Sequence, residues 1–175
     1  SELILGRYGL HFHMSGENNR NTLVEGVVIR DVGSRAFVAH ASHGITFRDT
    51  VSYNSADSAY WWDSRPLQPG PSPLSCPGMD NPNPNATNDI LYDKALAVYV
   101  KTDPNNPPAS FFRLAAFVLD QGKNNTVRNS SAVAVNGGKD SSGFHWPELA
   151  NCGDKDGTGN VWTFENNTVH NNAAN

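Results

Sequence analysis

Residues 28–40 read VIRDVGSRAFVAH and residues 51–63 read VSYNSADSAYWWD, and the two segments align without a gap at an offset of 23 residues. Both contain short β-branched or aromatic runs separated by Gly, Asn, Ser or Asp, and neither shows a helical period. A unit of this kind cannot bury its own apolar face, but stacked copies can. The repeat therefore predicts the successive coils of a solenoid.

A shorter element recurs within the repeat: an apolar residue, a charged residue, and then Gly, Asn or Asp. It occurs as Val24-Glu25-Gly26, Phe47-Arg48-Asp49, Val127-Arg128-Asn129 and Phe164-Glu165-Asn166, with Tyr92-Asp93-Lys94 as a degenerate copy. Parallel strands would join these units into one core, and Asn at matching turns would stack as a ladder. The predicted fold class is all-β, a right-handed parallel β-helix of roughly five to seven coils. An antiparallel sandwich ranks second, because its turns would not keep this register.

The chain of 175 residues is long enough for one domain with a sizeable core. We expect 1–175 to form a single β-helix domain that is part of a longer chain. Two segments break the repeat, the Pro-rich 64–88 and the shorter 101–110, and each is predicted to be a loop inserted in a coil. A net charge of −4 argues against a nucleic-acid partner bound through phosphates. No apolar run reaches membrane-spanning length, so no membrane partner is expected in this segment.

Two sequence features favour a secreted, extracellular protein. Cys76 and Cys152 lie far apart in loop-like sequence, and we predict a disulfide between them, with two reduced thiols as the alternative. Four Asn-x-Ser/Thr sequons begin at Asn85, Asn124, Asn129 and Asn166.

The register of the repeat predicts which side chains share a face, since alternate residues of a strand point the same way. The predicted inward set is Phe37, Ala39, Tyr60 and Trp62, and the opposite face carries Val38 and Trp61. That opposite face also carries polar residues at matching positions of successive coils, namely His13, His40, Asp63 and Asp120. In the string GLHFHM, His11 lies beside His13, and His43 follows His40 by one short turn.

Histidine and aspartate in neighbouring coils, about 5 Å apart, can reach one ion or one substrate. We predict that His11, His13 and His40 bind one divalent metal ion, a transition metal or calcium. A polar ladder that merely faces solvent is the alternative.

The aromatic residues predict a carbohydrate ligand. If Trp62 is buried, Trp61 lies outside beside the histidines, and Trp146 extends the same surface. Aromatic rings stack on sugar rings, so exposed indoles next to carboxylates suit a polysaccharide groove. The predicted substrate-binding residues are therefore Trp61, His43 and Trp146, and the predicted partner is a polysaccharide.

The strings GRYGLHFHMSG, SRAFVAHASHG and SYNSADSAYWWDS, in this order, resemble the parallel β-helix segment of the cell-migration-inducing hyaluronidase and transmembrane-protein-2 group, which has bacterial relatives. The resemblance covers most of 4–63 and, more loosely, 111–148. Gly9 stands where the family has proline, Ser34 where it has asparagine, and Trp62 where it has glutamate. The shared polar positions are His11, His13, Arg35, His40, His43 and Asp63. The resemblance implies an extracellular β-helix that acts on polysaccharide.

These observations favour a polysaccharide depolymerase. Asp63 and Asp120 would be the carboxylate pair of a hydrolase. In a lyase, Arg35 or a histidine such as His40 would be the base, and a metal at the histidines is a third possibility. A non-catalytic carbohydrate-binding module and a purely structural solenoid are the alternatives from other functional classes.

Overall fold

The computed structural model describes residues 8–63, 87–102, 114–119, 122, 124–137, 141–145 and 163–172. In these ranges fifteen strands, numbered in chain order, form three parallel sheets of five strands each. Sheet A contains β1 (Leu10–Gly16), β4 (Phe37–Ser42), β7 (Tyr60–Asp63), β10 (Ala115–Leu119) and β13 (Ser142–His145). Sheet B contains β2 (Thr22–Glu25), β5 (Ile45–Arg48), β8 (Leu91–Asp93), β11 (Thr126–Arg128) and β14 (Thr163–Glu165). Sheet C contains β3 (Val28–Arg30), β6 (Val51–Ser55), β9 (Leu96–Lys101), β12 (Ser131–Asn136) and β15 (Thr168–His170).

Each coil contributes one strand to each sheet in turn, which confirms the predicted parallel β-helix, and the described coils number five. The right-handed sense is the one that parallel crossovers adopt in about 98% of cases. A short 3₁₀ helix, Glu17–Asn19, joins sheets A and B in the first coil. The part of the chain that the structure describes contains no helix long and apolar enough to cross a membrane.

The corner between sheets B and C explains the apolar–charged–Gly/Asn/Asp element. The third residue of every copy has a positive φ angle, and the five are Gly26, Asp49, Lys94, Asn129 and Asn166. Gly, Asn and Asp tolerate this left-handed conformation best. The first four of these residues each donate a backbone hydrogen bond of 3.1 Å to a carbonyl in the next coil. At this corner the predicted ladder of Asn side chains appears between Asn129 and Asn166, where Asn166 donates a long hydrogen bond of 3.5 Å to Asn129. Asn54 and Asp31 form a similar side-chain pair, 2.7 Å apart, at the end of sheet C.

The charged position of the same element forms a ladder on the outer face of sheet B. Its members alternate in sign through all five coils: Glu25, Arg48, Asp93, Arg128 and Glu165. Arg48 lies 3.2 Å from Glu25, and Arg128 lies 3.0 Å from Asp93. The Arg128 hydrogen bond lowers the pKa of Asp93, whose burial opposes the shift. Because a slipped coil would place like charges opposite one another, the ladder favours the native register.

The core lies between the three sheets and is aromatic along sheet A. Phe37, Tyr60, Phe117 and Phe144 stack at successive levels with ring centroids 4.9, 4.6 and 4.7 Å apart. Phe37, Ala39, Tyr60 and Trp62 are all fully buried in this core, as the repeat predicted. The hydroxyl of Tyr60 donates to the carbonyl of Thr50, so its burial leaves no polar group without a partner.

The predicted insertions fall between strands. Segment 64–88 separates β7 from β8, and 101–110 begins at the last residue of β9. Residues 64–86 and 103–113 lie outside the described part of the chain, as do Cys76 and Cys152 and their predicted disulfide.

Candidate functional site on sheet A

The predicted column of polar residues lies on the outer face of sheet A. His13 pairs with His40, and His40 pairs with Asp63, at three consecutive levels of β1, β4 and β7. His11 pairs with Val38, which pairs with Trp61, in the column beside it. Leu10 and Phe12 pack against the core, as alternation predicts. Met14, at the end of GLHFHM, is 44% exposed because the backbone bends there, so the alternation ends at His13. The side chain of Asp63 lies outside the described part of the chain, as do Asp120 and Trp146.

Three imidazoles meet on this face. The ring centroids of His11 and His13 are 4.9 Å apart, those of His13 and His40 are 5.0 Å apart, and those of His11 and His40 are 6.2 Å apart. One potential ligand atom from each of the three lies within 4.8 Å of the others. His13 is exposed, whereas His11 and His40 are partly buried. One ligand can therefore reach all three rings.

The donor set of this cluster fits a transition metal. Zinc binds imidazole nitrogens at about 2.0–2.1 Å, which places tetrahedral ligands about 3.4 Å apart, so modest side-chain rotations would close the site. Calcium prefers six or more oxygen ligands. Three imidazole nitrogens therefore suit a transition metal better than calcium.

The backbone bends directly after the histidines. Met14 and Ala41 follow His13 and His40, and they adopt positive φ angles of 48° and 43°. Neither residue type prefers this region, and each such residue costs about 1–3 kcal/mol. Beyond the bend, the hydroxyls of Ser15 and Ser42 lie 2.7 Å apart. The strain is repeated at both levels, next to the imidazoles that form the cluster.

Arg35 lies beside the histidines in a packed aromatic pocket. Its guanidinium carbon is 3.3 Å from the centroid of Trp61, and its Nη1 donates a 3.0 Å hydrogen bond to the hydroxyl of Tyr8. Its Nε lies 3.3 Å from a carboxylate oxygen of Asp57. The Tyr8 ring in turn contacts His11 edge-on, at 4.7 Å between centroids. Arg35 is therefore linked through Tyr8 to the histidine cluster.

The expected exposed platform at Trp61 is wrong. Trp61 does point away from the main core, as the register predicted, but only 2% of it is exposed. It forms a second buried cluster with Val38, Ala115 and Val118, and the guanidinium of Arg35 covers its ring. Sequence alternation identifies the face of the sheet, but not that an arginine from the neighbouring coil covers that face.

His43 lies apart from the three imidazoles in the contacts that the structure gives. It is buried after the end of β4, and its backbone N–H donates to the carbonyl of Gly16. Its Nδ1 accepts a 3.2 Å hydrogen bond from the backbone N–H of Asn88. Its predicted role in substrate binding has no support from these contacts, which tie three coils together.

Tyr8 and Asp57 are the site residues that the sequence reasoning missed. Both hold Arg35, which was singled out only through the family resemblance. A signal was present, since Asp57 lies one repeat after Ser34, the neighbour of Arg35, but a single acidic residue in a turn has no distinctive pattern. Tyr8 stood in the quoted string GRYGLHFHMSG without a role.

Five stacked coils that form three parallel sheets define the described part of this chain as a parallel β-helix. The cluster of three histidines on the outer face of sheet A is its candidate site. A family model described as CEMIP beta-helix matches residues 1–63, the segment that contains the described histidine cluster. This match and the relatives below confirm the resemblance to the β-helix of the cell-migration-inducing hyaluronidase and transmembrane-protein-2 group.

Two curated relatives are similar to parts of this chain. Human cell surface hyaluronidase CEMIP2 is 24% identical over 194 aligned positions, which cover 96% of this chain and 13% of that protein. Mouse cell migration-inducing and hyaluronan-binding protein is 28% identical over 69 positions, covering 36% of this chain and 5% of that protein. The chain thus spans a small share of either relative. No solved structure matches it.

Proposed function

We propose that this β-helix is an extracellular or cell-surface polysaccharide-active enzyme segment that cleaves hyaluronan or a related acidic glycan at the outer face of sheet A. The observation that carries the proposal is the meeting of His11, His13 and His40 within 4.8 Å. The names of the relatives, a cell surface hyaluronidase and a hyaluronan-binding protein, support the substrate class and the location.

The three histidines are assigned to binding a divalent transition metal. Such an ion supplies Lewis acidity toward a glycan oxygen. These residues would hold the ion, and the backbone bends at Met14 and Ala41, directly after His13 and His40, shape the strand ends that carry the two imidazoles. Asp63 is assigned to the carboxylate role, supported by its backbone register beside His40.

Arg35 is assigned to positioning rather than to proton abstraction. A guanidinium does not lose its proton at neutral pH, and Arg35 is already committed to Asp57, Tyr8 and Trp61. In an elimination that uses no metal ion, an imidazole is the better base, and we assign that role to His40; in a metal-bound site His40 is a ligand instead. If it is a hydrolysis, Asp63 and Asp120 remain the carboxylate pair.

The test is depolymerisation of fluorescently labelled hyaluronan by the full chain, followed by size-exclusion chromatography. His13→Ala and His40→Ala should abolish chain shortening, whereas His170→Ala, an exposed histidine on sheet C, should leave it unchanged. Ultraviolet absorbance of a new carbon–carbon double bond identifies a lyase, and reducing ends without it identify a hydrolase. Binding of hyaluronan without any shortening would favour the non-catalytic module instead.

A further inference from the structure

Two tyrosines form an exposed aromatic pair on the outer face of sheet C, away from the histidine cluster. Tyr53 in β6 and Tyr99 in β9 lie at consecutive levels, with ring centroids 5.6 Å apart and planes nearly perpendicular at 86°. They are 41% and 54% exposed. Both rings are therefore partly accessible to solvent, as stacking on a sugar requires.

Tyr99 occupies a backbone position that does not suit it. Its φ is 56°, and the equivalent corner in the other coils is Asp31, Asn54, Ala134 or Asn171. Asn and Asp stabilise this conformation with short polar side chains, whereas a tyrosine cannot. The contact that the structure gives Tyr99 is the one with Tyr53. The corner thus carries an aromatic residue where the local fold favours an amide.

Cations flank the aromatic pair. Arg30 is in register with Tyr53 one coil earlier, and Lys101 lies at the exposed end of the strand that carries Tyr99. Asp31 is close enough to both cations to feel their charge, and its carboxylate accepts hydrogen bonds from Arg30 at 2.8 Å and from Asn54 at 2.7 Å. These hydrogen bonds, led by that of Asn54, lower the pKa of Asp31. Lys101 thus adds an exposed positive charge beside the tyrosines, in a chain whose net charge is −4.

We propose that Tyr53 and Tyr99, together with Lys101, form a second binding site, for an acidic polysaccharide. The rings stack on sugar faces, and Lys101 attracts the carboxylates of the polysaccharide, since the charge of Arg30 is already paired with Asp31. Because this surface is on sheet C and the histidines are on sheet A, the site anchors the polymer without touching the reacting bond. The choice of hyaluronan as the ligand rests on the proposed function. The inference that the tyrosines and Lys101 bind an acidic polysaccharide rests on this surface alone.

The test is binding of the full chain to a short hyaluronan oligosaccharide and to a neutral cello-oligosaccharide, measured by titration calorimetry. Tyr53→Ala and Tyr99→Ala should each weaken hyaluronan binding about tenfold, and Tyr53→Phe should retain it. Lys101→Ala should weaken binding of hyaluronan but not of the neutral glycan, and added salt should reduce that difference. Leu23→Ala, an exposed apolar residue on sheet B, is the matched control and should change neither.

The two proposals fail separately in this experiment. If the chain binds hyaluronan through the two tyrosines but does not shorten it, the proposed depolymerase activity is contradicted and the proposed anchoring site is supported. Hyaluronan affinity that is unchanged in the folded Tyr53→Ala/Tyr99→Ala double variant would overturn the anchoring site, and so would a wild-type chain that binds no acidic glycan. The anchoring site would also be overturned if the two tyrosines were needed to bind a protein ligand but not to bind any glycan.

Discussion

The stability of a Trp61→Ala variant tests whether the indole of Trp61 is buried or exposed. In the structure 2% of Trp61 is exposed, its ring packs against Val38 and Val118, and the Arg35 guanidinium lies 3.3 Å from its centroid. Replacing a buried tryptophan by alanine costs about 3–5 kcal/mol, and the lost cation–π contact adds roughly 1 kcal/mol. We therefore expect Trp61→Ala to lower the free energy of unfolding by about 4 kcal/mol or more, a change that affects the whole domain.

The assay for this prediction is urea unfolding followed by far-ultraviolet circular dichroism. Trp61→Phe keeps an aromatic ring beneath Arg35, so it should lose roughly half as much stability as Trp61→Ala. Leu23→Ala, at a position that is 50% exposed, should stay within about 0.5 kcal/mol of the wild type. A Trp61→Ala variant as stable as Leu23→Ala would show that the indole lies at the surface and that the buried cluster is wrong.

The remaining predictions concern register, pH and His43. Arg48→Glu places three carboxylates in a row on sheet B, so we expect a loss of about 1 kcal/mol in urea unfolding that shrinks in high salt; an unchanged midpoint at low salt would contradict the ladder. Asp93→Asn should cost about 1–2 kcal/mol at neutral pH. Because the folded-state pKa of Asp93 is lowered, this difference should persist above the unfolded pKa near 4 and vanish as the pH falls through the folded value; a difference that grows on acidification would reverse the sign. His43→Ala removes the acceptor of the Asn88 amide and should cost about 1–2 kcal/mol while leaving hyaluronan affinity within about twofold; a large loss of affinity at unchanged stability would restore the substrate-binding role.

The sequence predicted the fold because its repeat carries both the period and the corner chemistry. The offset of 23 residues appears in the structure as the pairing of Phe37 with Tyr60 and of Arg48 with Glu25. Alternation then determined the inward set and brought His13, His40 and Asp63 to consecutive levels. These features depend on backbone geometry, which a periodic sequence reveals directly.

The surroundings of the site could not be predicted in the same way. Trp61 was expected at the surface because alternation reports only the face of a strand, whereas its burial depends on Arg35 and on the neighbouring strand β10. The partners of Arg35, Tyr8 and Asp57, come from different coils and share no motif. The aromatic pair of Tyr53 and Tyr99 follows no repeat in the sequence, because Tyr99 replaces an amide at a corner.

The central claim is that His11, His13 and His40 form one metal-binding site, and elemental analysis tests it most directly. The wild-type chain and the His170→Ala control, equilibrated with zinc and then dialysed, should retain about one ion per chain, as expected for a single three-histidine site. His11→Ala, His13→Ala and His40→Ala should each lose that ion while remaining folded by circular dichroism. A wild-type chain that retains no ion under these conditions, or three variants that retain it as fully as the His170→Ala control, would contradict the account.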